Sequence, residues 1–314
     1  MTTLVTGGAG FIGSRLALAL VESGESVIIV DNFDPYYDPA IKRANITALN
    51  GSAAVFEADI RDSAALDHIF QTHPIQRIAH LAALANVRYS VERARLYSEV
   101  NVGGTINLLD LARKHGVENI VLASTSSVYG DTDRLPFVED DAAAMPLAPY
   151  PASKRSAELF AHSYHHLFGM NISVLRLFNV YGPNGRPDMM PLKTIEAILS
   201  RTTIPLFDGG NLKRDWTFID DITKGITSAL NRPCGFEIFN LGYGEPITFR
   251  SFIDIYEELM GQQALTQAVP APPSEPKITY CDNSKARRLL DFSPQTPLAE
   301  GLSRTWMWYR ERYL

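Results

Sequence analysis

Three glycines spaced three apart in TLVTGGAGFIGSRLA set the first constraint on what this chain can become. Gly7, Gly10 and Gly13 lie between an apolar run (3–6) and a stretch of helical periodicity, SRLALALVESG. Glycine lets the backbone turn tightly and lets another group approach it closely. A strand, such a turn and a helix together form a phosphate cradle, because the helix N-terminus points unpaired N–H groups and a positive dipole end at the turn. The next apolar run, SVIIVD, ends on Asp31, where a carboxylate would accept from ribose hydroxyls. A 2′-phosphate would meet that carboxylate as a like charge, so the pattern predicts NAD rather than NADP.

Further apolar runs follow at AAVFEAD (53–59), RIAHLAA (77–83), NIVLAST (119–125), NISVLRLFN (171–179) and EIFNLG (237–242), alternating with helical stretches such as 94–116 and 152–168. Short apolar runs bounded by turns and alternating with helices predict βαβ units. The fold class is therefore α/β: a Rossmann-type doubly wound parallel sheet with a smaller α/β substrate-binding domain. The expected division is 1–179 plus about 215–246 for the dinucleotide domain, and 180–214 with 247–314 for the smaller one. Its signs are the turn-rich YGPNGRPDMM, the proline-dense PAPPSEP (270–276), and short runs such as IPLF (204–207) and ITYC (278–281). A dinucleotide along the sheet edge would also touch Phe11, Ile12 and Asn32. Farther along it would meet Leu81, Ala82, Ala83 and Asn101, while Asp59 and the Ile60 amide are placed for the adenine, a plain helix-capping role for Asp59 being the alternative.

The net charge of −6 leaves no basic stripe for nucleic acid, and no apolar run reaches the length of a membrane span. The start, MTTLVTGGAG, lacks the basic and cleavage-site pattern of a signal peptide. Cys234 and Cys281 have no metal-ligand spacing and read as structural thiols of a reducing, cytoplasmic compartment. No metal is expected: His162, His165 and His166 stand on one helix without an acid cluster and suit solvent or an interface. Trp306 and Trp308 suit apolar packing.

The chemistry concentrates in VLASTSSVYGD and APYPASKRSAE. The first carries a strand into Ser124, Thr125, Ser126 and Ser127; the second places Tyr150 and Lys154 four apart at a helix start, on one face. A phenol titrates at about 10 in water, too high for a base at neutral pH. A neighbouring ammonium and a positive nicotinamide ring would favour the phenolate. Thr125 would bond the hydroxyl being oxidised, Ser126 and Ser127 would face substrate, and Ser124 is expected to be a satisfied buried hydroxyl. Dehydration needs an acid and a base at neighbouring carbons, and two serines at 126 and 127 argue against it.

The Gly spacing with the Tyr150–Lys154 pair resembles the extended short-chain dehydrogenase/reductase superfamily. DNFDPYYDPAIKRANI (31–46), NVRYSVERARLYSEVNVGGTINLLD (86–110) and FNVYGPNGRPDMM (178–190) resemble the UDP-glucuronate 4-epimerases, and KRDWTFIDDI (213–222) resembles nucleotide-sugar epimerases and dehydratases more widely. The resemblance implies reversible oxidation of a UDP-sugar at C4 through a 4-keto intermediate. It also implies Arg186 as the sugar-carboxylate ligand, with Arg88 as a second candidate. Arg214 then serves the UDP phosphates, Glu275 the uridine ribose, and a homodimer forms through the helices at 94–116 and 152–168. Two departures stand out: Asn179 replaces a frequent threonine, and PPSEPKITYCD replaces an R-P-G-D pattern. UDP-glucose/UDP-galactose 4-epimerase, UDP-glucuronate decarboxylase and an NAD-binding sensor or scaffold remain the alternatives.

Overall fold

The computed structural model describes residues 1–273 and 275–314; Ser274, inside the expected proline-dense loop, lies outside them. Six strands in the first 177 residues are β1 (Thr2–Thr6), β2 (Ser26–Asp31), β3 (Ala53–Glu57), β4 (Arg77–His80), β5 (Asn119–Thr125) and β6 (Ile172–Leu177). They are joined by β7 (Phe236–Leu241) in the parallel order β7-β6-β5-β4-β1-β2-β3. Successive strand residues point to opposite faces, and here both faces are covered. Val27 and Ile29 of β2 pack into one core, Ile28 and Val30 into the other, which is why these strands read as unbroken apolar runs. Strand order reverses between β1 and β4, opening a crevice at their carboxyl ends where ligands of such sheets bind.

The expected helix at 94–116 is instead three segments: Ala94–Tyr97, a wider π turn at Ser98–Gly103, and Gly104–His115. A Cβ on Gly104 would lie 2.5 Å from Ile60 Cδ1, so the helix approaches the loop after β3 more closely than a side chain would permit. The π turn carries the buried Asn101, whose amide accepts from the Leu84 N–H (2.9 Å) and donates to the Leu84 carbonyl (3.0 Å). The expected strand at 171–179 also divides. Its end, Asn179–Tyr181, pairs with Lys213–Phe218 in a separate four-stranded sheet with Pro246–Thr248 and Ile278–Thr279. The expected re-entry into the main layer at about 215 falls inside Lys213–Phe218. It is the next helix, Ile219–Asn231, that packs against Phe11–Glu22 on the main sheet.

Helix Pro149–Phe168 is fastened to the sheet by the wholly buried Glu158. Arg176 of β6 donates Nε and Nη2 to it (3.1 and 2.8 Å), Arg155 donates Nη1 (2.9 Å), and the Ser124 hydroxyl of β5 donates as well. Removing one partner of a buried ion pair strands the other charge. Glu158→Gln is therefore expected to lower unfolding stability by about 3 kcal/mol or more, read from urea midpoints.

Candidate active site

The crevice at the strand ends encloses a cavity of about 410 Å³ running from the glycine loop to Tyr150 and Arg186. At the first end, helix Phe11–Glu22 begins at Gly10 with no side-chain cap, leaving its N-terminal donors toward the cavity. Gly7 has φ +69, and a Cβ there would lie 2.7 Å from the Ala82 amide nitrogen; one on Gly13 would lie 2.2 Å from the Gly7 carbonyl. Strand end, helix start and the loop after β4 are thus in backbone contact. Asp31 accepts from the Ala9 and Phe33 N–H groups (3.1 and 2.9 Å), with the Lys42 ammonium 3.8 Å away. A carboxylate offers about four lone-pair sites, so acceptors remain for a diol. This donor-rich turn beside an anchored acid fits a dinucleotide.

Asp59 is committed further than expected. Arg61 donates Nε and Nη2 to it (2.9 and 2.8 Å) and Asn32 donates at 3.0 Å. The Arg61 bonds pull its carboxyl down to about 2 against the opposing effect of burial. Arg61 lines the same cavity, and any adenine contact to Asp59 must share those oxygens.

At the second end, Thr125, Ser126 and Ser127 line the cavity with Tyr150, Asn179 and Arg186. Thr125 caps the following turn by accepting from the Ser127 N–H (3.2 Å), and Ser124, which also lines the cavity, donates its hydroxyl to Glu158. The Ser90 hydroxyl accepts the Tyr150 N–H (3.1 Å), and the Tyr97 ring meets the Tyr150 ring edge-on at 6.1 Å. Burial raises the Tyr150 phenol above its ordinary value, while the Thr125 hydroxyl and the Arg186 charge pull it down. Lys154 is itself buried, and desolvation brings its ammonium down to about 8, with Glu158 opposing.

Arg186 is also placed differently from a free clamp. Its Nε and Nη2 donate to Asp188 (2.9 and 3.0 Å), and Nη1 and Nη2 share a long contact, 3.4 Å each, with the Ala85 carbonyl. Gly10, Phe11, Ile12, Ile60, Leu81, Ala82 and Ala83 line the cavity as expected of contact residues, whereas Lys154, Asn101, Arg88, Arg214 and Glu275 do not. Asn101 instead holds the Leu84 loop and Ser153 (2.9 Å). Glu275 spans Arg88 (2.9 Å) and Arg214 (2.8 Å), joining three separately expected substrate residues into one ion network. Sequence reading missed Arg61, Lys42, Tyr36, Asn86 and Asp188. Asp188 stands two residues from Arg186 and was within reach of that reading. Arg61 likewise stands two residues from Asp59, and Lys42 eight from Asp34, whereas Tyr36 and Asn86 meet their partners across long sequence separations that no local pattern announces.

The match to known proteins follows this geometry. A family model described as GDP-mannose 4,6 dehydratase matches residues 4–305. The chain belongs to that family. Within this family of extended short-chain dehydrogenases/reductases, it is 43% identical over 311 residues to a UDP-glucuronate 4-epimerase of Thermodesulfobacterium geofontis, covering 98% of this chain and 96% of that one. Among solved structures, the UDP-glucuronic acid 4-epimerase of Bacillus cereus, in complex with UDP-glucuronic acid and NAD, superposes with a TM-score of 0.93 at 34% identity over 100% of both chains. A UDP-glucose 4-epimerase of Thermotoga maritima with UDP-glucose gives 0.92 at 30% identity over 99% of both.

Because the Gly13 Cα faces backbone rather than a movable side chain, Gly13→Ala must shift the loop or the helix. It is expected to weaken dinucleotide binding by about a hundredfold, measured by titration of the purified protein.

Proposed function

We propose that this chain is an NAD-dependent UDP-sugar 4-epimerase that interconverts UDP-glucuronate and UDP-galacturonate. The observation that carries the reading is one cavity holding the glycine loop and Asp31 at one end and Thr125, Tyr150 and Arg186 at the other. The relatives named above support the same chemistry. Although the family model is described as a dehydratase, Ser126 and Ser127 supply no carboxyl for water elimination.

Gly7, Gly10, Gly13, Asp31 and Asn32 would hold NAD, which when bound accepts the hydride from sugar C4 and returns it. Lys154, in the helix with Tyr150, is the cation that serves this end of the site. Tyr150 takes the proton of the C4 hydroxyl as the carbonyl forms, and Thr125 bonds the same oxygen and shares its proton. The keto sugar turns over in the cavity, and Tyr150 returns the proton to the inverted alcohol. Arg186 holds the sugar carboxylate. That matters because the 4-keto sugar acid is a β-keto acid, which loses carbon dioxide when its carboxylate bond stands perpendicular to the carbonyl plane. Fork-shaped pairing opposes that alignment. Arg214 would meet the UDP phosphates, with Glu275 and Arg88 beside it.

Two further assignments are ours. The exposed Leu159, Phe160, Leu167 and Phe168 of Pro149–Phe168 support a homodimer through this helix and its neighbour at 94–116. Among the described residues no helix is long and apolar enough to cross a membrane, and Cys234 and Cys281 are unpaired thiols, which supports a cytoplasmic setting.

Incubation with UDP-glucuronate, followed by chromatography of the products, tests the activity. UDP-galacturonate is expected; a UDP-pentose would make the enzyme a decarboxylase, and conversion of UDP-galactose alone would reject the glucuronate assignment. Tyr150→Phe is expected to lower kcat between about a hundredfold and ten-thousandfold with NAD still bound. Arg186→Ala is expected to raise KM for UDP-glucuronate more than for UDP-glucose, and equal losses would remove its role. Leu159→Glu is expected to shift sedimentation from dimer to monomer.

A further inference from the structure

We infer that Asp188 is a positioning residue for sugar selection: together with Tyr36 and Asn86 it holds the Arg186 guanidinium so that one edge faces the cavity as a ready carboxylate fork. The inference rests on the proposed glucuronate reading and deepens it.

The cluster joins three loops. Tyr36, from the DPYYD segment after β2, donates its hydroxyl to Asp188 Oδ2 at 2.8 Å. Asn86, after β4, donates Nδ2 to the same oxygen at 3.1 Å and to the Tyr36 hydroxyl at 2.6 Å. Its own Oδ1 accepts the Tyr89 N–H at 2.9 Å, which fixes which way the amide points. Asp188 therefore receives four donors, two from Arg186 and two from distant loops, and has little freedom to turn. Burial works against its charge, but the Arg186 bonds and charge, with those of Tyr36 and Asn86, hold its carboxyl below the ordinary range. Burial and Asp188 push the Tyr36 phenol up to about 12, so it remains a donor at neutral pH.

The consequence follows from guanidinium geometry. Arg has five N–H donors in a rigid plane and two edges able to grip a carboxylate. Asp188 occupies the Nε/Nη2 edge. The Nη1/Nη2 edge holds only the shared 3.4 Å contact to Ala85, which a sugar carboxylate of better geometry would replace. With the guanidinium already immobilised, little side-chain freedom is lost when such a sugar binds. A neutral hexose offers that edge single uncharged hydroxyl acceptors in place of a charged two-oxygen partner, and draws less benefit from its orientation.

Asp188→Asn places an amide N–H against donors and releases the guanidinium. Titration calorimetry of the NAD-loaded protein with UDP-glucuronate and with UDP-glucose reads the effect directly, beside steady-state kinetics. We expect Kd and KM for UDP-glucuronate to rise about tenfold, kcat to stay within about threefold, and the UDP-glucose constants to change less than about twofold. Tyr36→Phe, which removes one of the four donors, should move the same constants in the same direction by less, and it carries the comparison if Asp188→Asn fails to fold or to retain NAD. Equal losses for both sugars, unchanged constants, or tighter UDP-glucuronate binding would overturn the inference, the last by making Asp188 a competitor for Arg186. Wild-type turnover is read separately. Its absence overturns the epimerase reading, while the relative binding of the two sugars still decides the role of Asp188.

Discussion

Glu158, wholly buried, accepts hydrogen bonds from Ser124 on β5, Arg176 on β6 and Arg155 on its own helix, so the helix carrying Tyr150 and Lys154 is fixed to two neighbouring strands. Ion pairs of this kind gain their strength from the loss of solvent that makes each partner costly alone. The same carboxylate acts on function, because its charge opposes the desolvation of Lys154 one helix turn away. A single anion thus helps fix the helix that carries the phenol and favours the charged form of Lys154 on that same helix.

The cavity is built from backbone at one end and side chains at the other. At Gly7 and Gly13, contact is main chain against main chain, and an added Cβ would collide with atoms that cannot rotate aside. Near Tyr150, position is set by charge pairing, with Asp188 on Arg186; outside the cavity lining, Glu275 likewise stands between Arg88 and Arg214. Each arginine expected to meet a substrate anion already faces a carboxylate of the chain. For Arg186 and Arg214, which are largely shielded from water, this pairing avoids the cost of leaving a buried cation without a partner.

The parallel sheet was legible because burial on both faces demands unbroken apolar runs, and the glycine turn because its stereochemistry is local. Boundaries within long helical stretches were not. The π turn at 98–103 exists because Asn101 reaches the Leu84 backbone and Gly104 meets Ile60, contacts that span 17 and 44 residues. Likewise NISVLRLFN reads as one strand, yet Phe178 still bonds Leu241 while Asn179 begins pairing with Trp216 in the other sheet.

Sequence alone determined the strand–glycine–helix cradle, the acid at the end of β2, and the placing of Tyr150 and Lys154 on one helical face, since each depends on spacing within a few residues. Tertiary structure decided the electrostatics. It set burial against Thr125 and Arg186 at the Tyr150 phenol, and it brought Tyr36 and Asn86 from distant loops onto the Asp188 that holds Arg186. Charge interactions depend on distance through space and on exclusion of water, and neither is written in the order of the residues.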